Sequence, residues 1–372
     1  MRERIPVTLV VVATAVAAFA ALALAATPKY EPPVTYTAGD DAFPVAVADF
    51  NGDGKLDVAT GNENDDDVSI LLGKGNAGKF KEKGDFPAAD YPFGIAAKDF
   101  NKDGDDDLAV VGYDGDEIGV LTSKGNGSFK APVSYPVPDG PYSVAAADLN
   151  GDRRVDLAVA SDDDPKMSVL LGKKGGKFKP AESYPAGQAP TSVAIAQLDG
   201  KSGKDIAVLD YEKGLKLFRG NGKGDFKKAV SIKIDDLQAA YGMAVAQIDG
   251  KGRPDIWVAR CADSPQNLLL RAKGETGLGY KKPVKEKGGS CPYEIEIKDV
   301  DGNGYKDPIL TSEDNGKVSV LYNGKKGLKS PKNYPAVAEA YSVASGDFNR
   351  DGIRDFAVPD YSNSKTAIVL SK

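Results

Sequence analysis

The chain has 372 residues, of which 41% are hydrophobic and 27% charged, and its formal net charge is −6. This composition is typical of a globular protein rather than a disordered one, and the small negative charge argues against nucleic-acid binding. Histidine is absent, which removes the commonest general base and most zinc and haem ligation. A hydrolase built on a Ser-His or Cys-His pair is therefore excluded.

The first 26 residues differ in character from the rest of the chain. Arg2 and Arg4 precede an uncharged apolar run that ends in small residues, with a cleavage-like Ala-Leu-Ala triplet at 23–25. This pattern predicts an export signal, and the run of about 20 residues is also long enough to act as an uncleaved membrane anchor. In either case residues 27–372 are expected to be secreted or extracytoplasmic, with the anchor as their sole connection to a membrane.

A nine-residue acidic stretch, called the acidic turn below, recurs seven times in the remaining chain. Its copies begin at residues 49, 99, 148, 197, 247, 299 and 347, which are 48 to 52 residues apart. They read DFNGDGKLD, DFNKDGDDD, DLNGDRRVD, QLDGKSGKD, QIDGKGRPD, DVDGNGYKD and DFNRDGIRD. A fixed period of this length predicts one structural unit for each copy.

Each unit has the pattern of four short strands, exemplified by VAVAD, LDVAT, VSILLG and FKAPVSYP. Four strands in a unit of about 50 residues predict an all-β fold, a seven-bladed β-propeller over residues 27–372. Alanine and valine dominate the first strand, as expected for strands that converge on a common axis. The last unit ends after its third strand, whereas residues 29–38, KYEPPVTYTA, form an unpaired fourth strand. We therefore expect the N-terminal strand to complete the last blade and leave no open edge.

The acidic turn has the chemistry of a calcium loop. Positions 1, 3, 5 and 9 offer side-chain oxygens, position 6 is usually glycine, and position 7 offers its backbone carbonyl. Calcium fits such a set best, because magnesium demands tighter octahedral geometry and transition metals prefer histidine or cysteine. The alternative is an acidic turn that is merely solvated. Five matches at a fixed spacing favour structural Ca²⁺ over that alternative.

Residues 92–112, PFGIAAKDFNKDGDDDLAVVG, combine a Phe-Gly pair with an acidic turn. In this the units resemble the FG-GAP/VCBS repeats of the integrin α-subunit propeller and its bacterial and fungal relatives. The resemblance implies a seven-bladed propeller with calcium in the hairpin between the first two strands of a blade. The predicted ligands, with the fourth of each set acting through its carbonyl, are Asp49, Asn51, Asp53, Lys55 and Asp57; Asp99, Asn101, Asp103, Asp105 and Asp107; Asp148, Asn150, Asp152, Arg154 and Asp156; Asp299, Asp301, Asn303, Tyr305 and Asp307; and Asp347, Asn349, Asp351, Ile353 and Asp355.

Two units depart from the calcium pattern and one departs in part. Units four and five carry Gln197 and Gln247 at position 1 and Lys201 and Lys251 at position 5. We expect no metal there, and each lysine could supply the missing positive charge itself. In unit three, Arg153 replaces the glycine of position 6, where a left-handed conformation costs roughly 1 kcal/mol.

The strand order predicts two faces of opposite character. The acidic turns share one face with lysine-rich loops such as GKKGGKFK, and the opposite face carries acidic loops such as GNENDDD and SDDDPK. An aromatic residue also begins most first strands on that opposite face. Aromatic rings among acids could bind sugars by stacking, or a basic protein. The alternatives are aromatics wedged between blades and acids that are simply solvated. The candidate ligand-binding residues are Phe43, Phe93, Tyr142, Tyr241, Tyr293, Tyr341, Asp162, Asp163 and Asp164.

The two cysteines, Cys261 and Cys291, are both expected on the acidic face at the junction of units five and six. In an exported protein this predicts a disulfide, with two buried free thiols as the alternative.

The function predicted from these features is a calcium-binding, exported binding or adhesion module for an extracellular protein or a glycan. The first alternative is a polysaccharide lyase on the same scaffold, because the resemblance includes relatives of these repeats that have such activity. Without histidine it would need a base such as Tyr142, Tyr293 or Lys213, and the sequence singles out none of them. A further alternative is a scaffold that binds another copy of itself or a membrane partner. No catalytic group is identified, so the chain is predicted not to be an enzyme.

Overall fold

The computed structural model describes residues 27–75, 77–235, 237, 239–261, 266–271 and 277–372. The predicted export segment, residues 1–26, lies outside this described part. Within it, no helix has the length and apolar character that a membrane span requires. The described chain consists of β-strands and loops, with two short 3-10 helices at Glu313–Asn315 and Tyr361–Asn363.

The strands form seven antiparallel sheets of four, which are the blades. We name the strands of a blade a to d in their order of pairing. Blade 1 contains Ala42–Ala48, Asp57–Asn62, Asp67–Gly73 and Phe80–Pro87. Blade 2 contains Pro92–Lys98, Asp107–Gly112, Glu117–Leu121 and Val133–Pro136. Blade 3 contains Pro141–Ala147, Asp156–Ser161, Lys166–Leu170 and Glu182–Pro185, with a small hairpin of Gly172–Lys173 and Lys177–Phe178 between its last two strands.

The remaining blades follow the same order. Blade 4 contains Pro190–Ala196, Asp205–Asp210, Gly214–Phe218 and Val230–Lys233. Blade 5 contains Ala240–Ala246, Asp255–Arg260, Gln266–Leu270 and Val284–Lys287. Blade 6 contains Ile295–Lys298, Asp307–Ser312, Lys317–Val320 and Lys332–Pro335. Blade 7 contains Ala344–Gly346, Asp355–Asp360, Lys365–Val369 and, from the N-terminus, Val34–Thr37.

The blades form a closed ring. Each a strand contacts the a strand of the next blade, and strand a of blade 7 contacts strand a of blade 1. Strand d of blade 7 is the N-terminal strand, which pairs with strand c so that Val34 lies opposite Ile368. The N–H of Lys372 also donates to the carbonyl of Lys29 at 2.8 Å, which joins the two ends of the chain. The predicted seven-bladed propeller, completed by a strand within residues 29–38, is confirmed.

Packing between blades forms the core. Strand b is fully buried in every blade, because it lies in the middle of its sheet and both of its faces meet a neighbouring blade. The apolar clusters accordingly extend from one blade to the next, and Leu209 and Leu217 of blade 4 pack with Val258 of blade 5. Burial on this scale makes the ring the stable frame from which the turns and loops project.

The predicted disulfide between Cys261 and Cys291 is confirmed. Cys261 directly follows strand b of blade 5, and Cys291 lies shortly before strand a of blade 6. The bond therefore joins two adjacent blades on the face opposite the acidic turns.

Replacing both cysteines with serine is expected to lower the free energy of unfolding. The disulfide closes a loop of 30 residues, and cross-linking such a loop stabilises by about 3 to 4 kcal/mol in the chain-entropy model. Urea denaturation of the wild type and of the Cys261→Ser/Cys291→Ser variant measures the difference. Reductant should destabilise the wild type and leave the variant unchanged. Equal midpoints for both proteins under oxidising conditions would contradict the expectation.

Candidate functional site

The acidic turns are the hairpins between strands a and b, and each is anchored at position 2. Phe50 is 0% exposed and packs against Phe129, with their ring centroids 5.5 Å apart. At position 1, the carboxylate of Asp49 accepts the N–H of Asp53 at 3.2 Å and of Gly54 at 2.7 Å. These bonds fold the turn around the first carboxylate, which is how the oxygens of positions 1 and 5 come to share one loop.

Blade 6 brings three carboxylates together. One oxygen each of Asp299, Asp301 and Asp307 lies within 4.8 Å of the other two. Burial removes water from these groups and raises the pKa of Asp307 to about 7. All the donors are oxygens, which suits a hard cation, and a cation here would replace carboxylate repulsion with attraction. The residues that would hold calcium in this blade are these three aspartates, Asn303 and the carbonyl of Tyr305.

The other four predicted calcium turns carry the same kind of oxygen ligands, but their carboxylates do not come together as closely. Their position 3 is asparagine, and among the described residues no three of their carboxylates meet as closely as in blade 6. In blade 1, Asp53 forms an ion pair with Lys55 at 2.6 Å, and Asp152 of blade 3 pairs likewise with Arg154. In blade 2, the side-chain amide of Asn101 donates to Asp103 at 2.8 Å. Calcium in these turns would therefore have to displace a contact of the position 5 carboxylate.

The turn of blade 3 keeps its shape despite Arg153 at position 6. Arg153 adopts a left-handed φ of 65°, and its N–H donates to Asp148 at 2.8 Å. The corresponding glycine of blade 1 makes the same bond. Position 4 is also left-handed and carries Lys102 and Arg350 in blades 2 and 7. Glycine is thus preferred in these turns but not required.

In blades 4 and 5 the side chain of position 1 donates hydrogen bonds to backbone carbonyls of the turn, whereas Asp49 in blade 1 accepts them from backbone N–H groups. The side-chain amide of Gln247 donates to the carbonyls of Gly252 at 2.7 Å and Arg253 at 3.3 Å. Gln197 donates similarly to the carbonyl of Lys201. In blade 5 this amide donates to the position 7 carbonyl, which is a predicted calcium ligand in other blades. A neutral hydrogen-bond donor therefore takes the place that the predicted calcium ion has in those turns.

The positive charge in the turn of blade 4 comes from an unexpected residue. Arg219, which directly follows strand c, forms an ion pair with the buried Asp199 at 2.8 Å. The sequence offered Lys201 as a candidate for this charge, and Lys201 contacts Asp199 through its backbone N–H at 2.9 Å. The sequence could not indicate Arg219, because the two residues are brought together by the fold.

Position 9 has a role in all seven blades that the sequence did not indicate. The carboxylate of Asp57 accepts the N–H of Phe50 at 3.0 Å through one oxygen and that of Gly73 at 2.8 Å through the other. It therefore ties strand b to its own turn and to the end of strand c. The equivalent aspartates, each of which accepts the N–H of its own position 2 residue, are Asp107, Asp156, Asp205, Asp255, Asp307 and Asp355.

The six candidate aromatic residues meet at the opposite face, where the a strands begin. In blades 1 to 3 and 5, a β-bulge at this point interrupts the register of strand a and can redirect the side chain. Ring centroids are 4.3 Å apart for Phe93 and Tyr142 and 4.8 Å for Phe43 and Phe93. Across the axis, the hydroxyls of Tyr142 and Tyr293 are hydrogen-bonded. The six rings thus pack against one another over the central channel. The members of this inner group are Phe43, Phe93, Tyr142, Tyr241, Tyr293 and Tyr341.

Four further tyrosines extend the inner group outward, and the sequence analysis missed them. Tyr113 lies 5.6 Å from Phe93, and Tyr361 lies 5.2 Å from Tyr341, between ring centroids. Three of the four directly follow a b strand, and this shared position in the repeat was the available signal. The outer group is Tyr91, Tyr113, Tyr211 and Tyr361. We call the ten residues of the two groups the aromatic mouth.

Carboxylates border the aromatic mouth and accept hydrogen bonds from it. Tyr361 donates to Glu63 at 3.1 Å, and Tyr113 donates to Asp163 at 3.3 Å. Glu63 is 2% exposed, and this burial raises its pKa to about 7. Of the other candidate acids, Asp164 forms an ion pair with Lys166 at 2.6 Å, and Asp162 lies beside Asp163. Apolar ring faces beside hydroxyl and carboxylate acceptors can bind a polyhydroxylated ring or a cationic side chain.

A cavity of about 200 Å³ lies at the mouth and extends into the channel. Its lining combines the aromatic rings with Thr191, Ser192 and Glu294. Glu294 accepts the N–H of Val343 at 3.2 Å, an amide on the inner edge of the next blade. Burial raises the pKa of Glu294 to about 7, so this carboxyl is held among polar groups of the ring itself.

Three solved structures share the architecture at low sequence identity. The lectin BP39L from Burkholderia pseudomallei is 15% identical, with a TM-score of 0.67 over 90% of this chain and 97% of the lectin. BBS1N, solved in complex with ARL6DN, is 16% identical, with a TM-score of 0.63 over 91% and 96%. The rhamnogalacturonan lyase PL11 from Bacillus licheniformis is 14% identical, with a TM-score of 0.52 over 90% and 72%. At such identities the likeness shows the fold alone.

No curated protein sequence matches this chain. The profile of the FG-GAP-like repeat, however, matches five overlapping or separate segments, residues 49–110, 99–159, 148–201, 198–258 and 299–358. Together these segments cover more than half of the sequence, and each contains at least one acidic turn. The chain therefore belongs to the FG-GAP-like repeat family.

Proposed function

We propose that the chain is an exported, calcium-stabilised binding module that captures an extracellular protein or a glycan at the aromatic mouth. The observation that carries this proposal is the continuous patch of ten aromatic rings bordered by carboxylates. A rigid ring holds these side chains in place, so little conformational entropy would be lost on binding.

Two further observations support a binding role. The acidic turns lie on the face opposite the mouth, so ions there would stabilise the blades without contacting the ligand. The lectin BP39L and BBS1N, which was solved in complex with ARL6DN, are among the proteins with this fold. Export rests on residues 1–26 and on the disulfide, which suits an oxidising compartment.

A polysaccharide lyase is the alternative, and the geometry of the mouth does not favour it. A tyrosine base needs a lowered pKa, whereas burial raises the pKa of both Tyr142 and Tyr293. Lys213 forms an exposed ion pair with Glu212 at 3.4 Å, an arrangement that favours the charged ammonium over the neutral amine that a base requires. The release of unsaturated sugars from polyuronides would decide for the lyase.

A glycan array probed with the full chain tests the proposal. We expect Tyr113→Ala and Asp163→Asn each to weaken binding of a recognised glycan at least about tenfold, because each removes part of one aromatic-carboxylate contact. Lys177→Gln, at an exposed residue on the opposite face, is the matched control and should bind as the wild type does. Equal loss in all three variants, or none in the first two, would contradict a ligand site at the mouth.

A further inference from the structure

A groove of about 360 Å³ lies on the face of the acidic turns, between blades 5 and 6. Arg271, Tyr305, Asn323, Lys325 and Lys326 line it, together with Asp249 on one wall. It is separate from the aromatic mouth, which lies on the other face. We call it the cationic groove, and we propose that it binds the carboxylate-bearing sugars of an acidic polysaccharide.

Arg271 provides the first argument. It directly follows strand c of blade 5, and its Nε is buried without a hydrogen-bond partner among the described residues. A buried guanidinium nitrogen without an acceptor is costly, and a ligand carboxylate would satisfy it. Arg219, the corresponding residue of blade 4, has a carboxylate partner in its ion pair with Asp199 at 2.8 Å, although the two atoms are not aligned as a hydrogen bond. The charge of Arg219 is therefore neutralised by a carboxylate of its own blade, whereas Arg271 forms no such ion pair within the described chain.

The charge around the groove is the second argument. The loop of blade 6 presents Lys325 and Lys326, which are both exposed and form no ion pair within the described chain. In blade 5, the acidic turn has lost two of its carboxylates to Gln247 and Lys251. The remaining wall carboxylate, Asp249, accepts the N–H of Lys251 at 2.9 Å. The residues that line the groove therefore include three cations, Arg271, Lys325 and Lys326, against the one carboxylate of Asp249, and this lining favours an anion.

The shape of the groove favours a sugar over a small inorganic anion. Tyr305 is 38% exposed, the most exposed large aromatic side chain of the described residues, and offers a ring face for stacking. The turn of blade 6 that carries the lysines is closed by a hydrogen bond from Gly327 to Gly324 at 2.8 Å, and a side-chain carbon added at either glycine would meet nothing within 4 Å. An extended chain can therefore lie across the groove, with its carboxylates towards the cations.

Isothermal titration calorimetry of the full chain with trigalacturonate tests the proposal at one fixed calcium concentration. The fully methyl-esterified trimer is the matched ligand, since it keeps the hydroxyls and loses the charge. We expect the ester to bind at least about tenfold more weakly, and Arg271→Gln to weaken binding of the acid to a similar extent. Tyr305→Ala should weaken it severalfold. Lys130→Gln, at an exposed residue in the corresponding loop of blade 2, should leave it unchanged.

Three results would overturn the proposal. The first is that trigalacturonate does not bind. The second is that Arg271→Gln binds it as well as Lys130→Gln does. The third is that inorganic phosphate binds equally well and displaces it. The last result would identify a general anion site without sugar recognition. Unaltered circular dichroism and melting of Arg271→Gln would separate loss of binding from loss of folding.

Discussion

Removal of calcium is expected to lower the free energy of unfolding by about 7 kcal/mol. A site occupied at ten times its dissociation constant contributes about 1.4 kcal/mol, and five such sites add up to this value. For a chain of this size the loss corresponds to about 10 °C in melting temperature. The physical reason is clearest in blade 6, where one oxygen each of Asp299, Asp301 and Asp307 lies within 4.8 Å of the other two and the carboxylates repel one another. Calorimetric melting in excess calcium and in excess chelator measures the difference.

Variants of single turns test whether the predicted residues account for the effect. Asp299→Ala should remove about one fifth of the calcium dependence, because it deletes the position 1 ligand of one turn out of five. Asp249→Ala in blade 5 is the matched control, since that turn already contains Gln247 and Lys251, and it should leave the calcium dependence intact. Melting that is insensitive to chelator would contradict a stabilising role for calcium altogether.

The fold could be predicted from the sequence because its information is repeated seven times. One acidic turn of nine residues is weak evidence, but seven at a constant spacing fix the unit, and the alternation of apolar residues then gives four strands in each. The closure could be predicted because the two incomplete pieces, residues 29–38 and the last three strands, complement each other. The structure pairs them with Val34 opposite Ile368.

The candidate sites were less accessible to sequence analysis because their contacts join distant blades. Tyr142 and Tyr293 are hydrogen-bonded although 151 residues separate them, and only ring closure brings them together. The pairing of Asp199 with Arg219 requires the turn before strand b to meet the end of strand c, so the sequence offered the nearer Lys201 and gave no sign of Arg219. Positions in the repeat could be predicted, whereas the direction of a side chain after a bulge could not.

The aspartates of position 9 are a second case in which the sequence did not indicate what a residue does. In the sequence they are the last ligand of a calcium turn, yet blades 4 and 5 keep them while losing the carboxylates of positions 1 and 5. The structure gives the reason: Asp205 accepts three backbone N–H groups, from Leu198 and Asp199 at 2.9 Å and from Gly220 at 3.0 Å. This carboxylate is buried and joins three segments of one blade. Retention of the residue thus follows from hydrogen bonding that needs no metal.

Asp205→Asn is accordingly expected to lower the free energy of unfolding by about 3 kcal/mol. The substitution keeps the volume but turns one acceptor oxygen into a donor, which leaves one or two buried N–H groups without a partner at about 1 to 3 kcal/mol each. Because blade 4 is not expected to bind calcium, the loss should be the same in excess calcium and in chelator. Urea denaturation under both conditions measures it.

Asp225→Asn is the matched control for this variant. Asp225 lies in an exposed loop of the same blade and accepts a hydrogen bond from Asn221 at 2.9 Å. An exposed substitution of this kind should change the free energy of unfolding by less than about 0.5 kcal/mol. If Asp205→Asn were as mild as the control, the carboxylate would not be joining the strands. If its effect disappeared in chelator, position 9 would act through calcium even in blade 4, and the distinction between the two kinds of turn would fail.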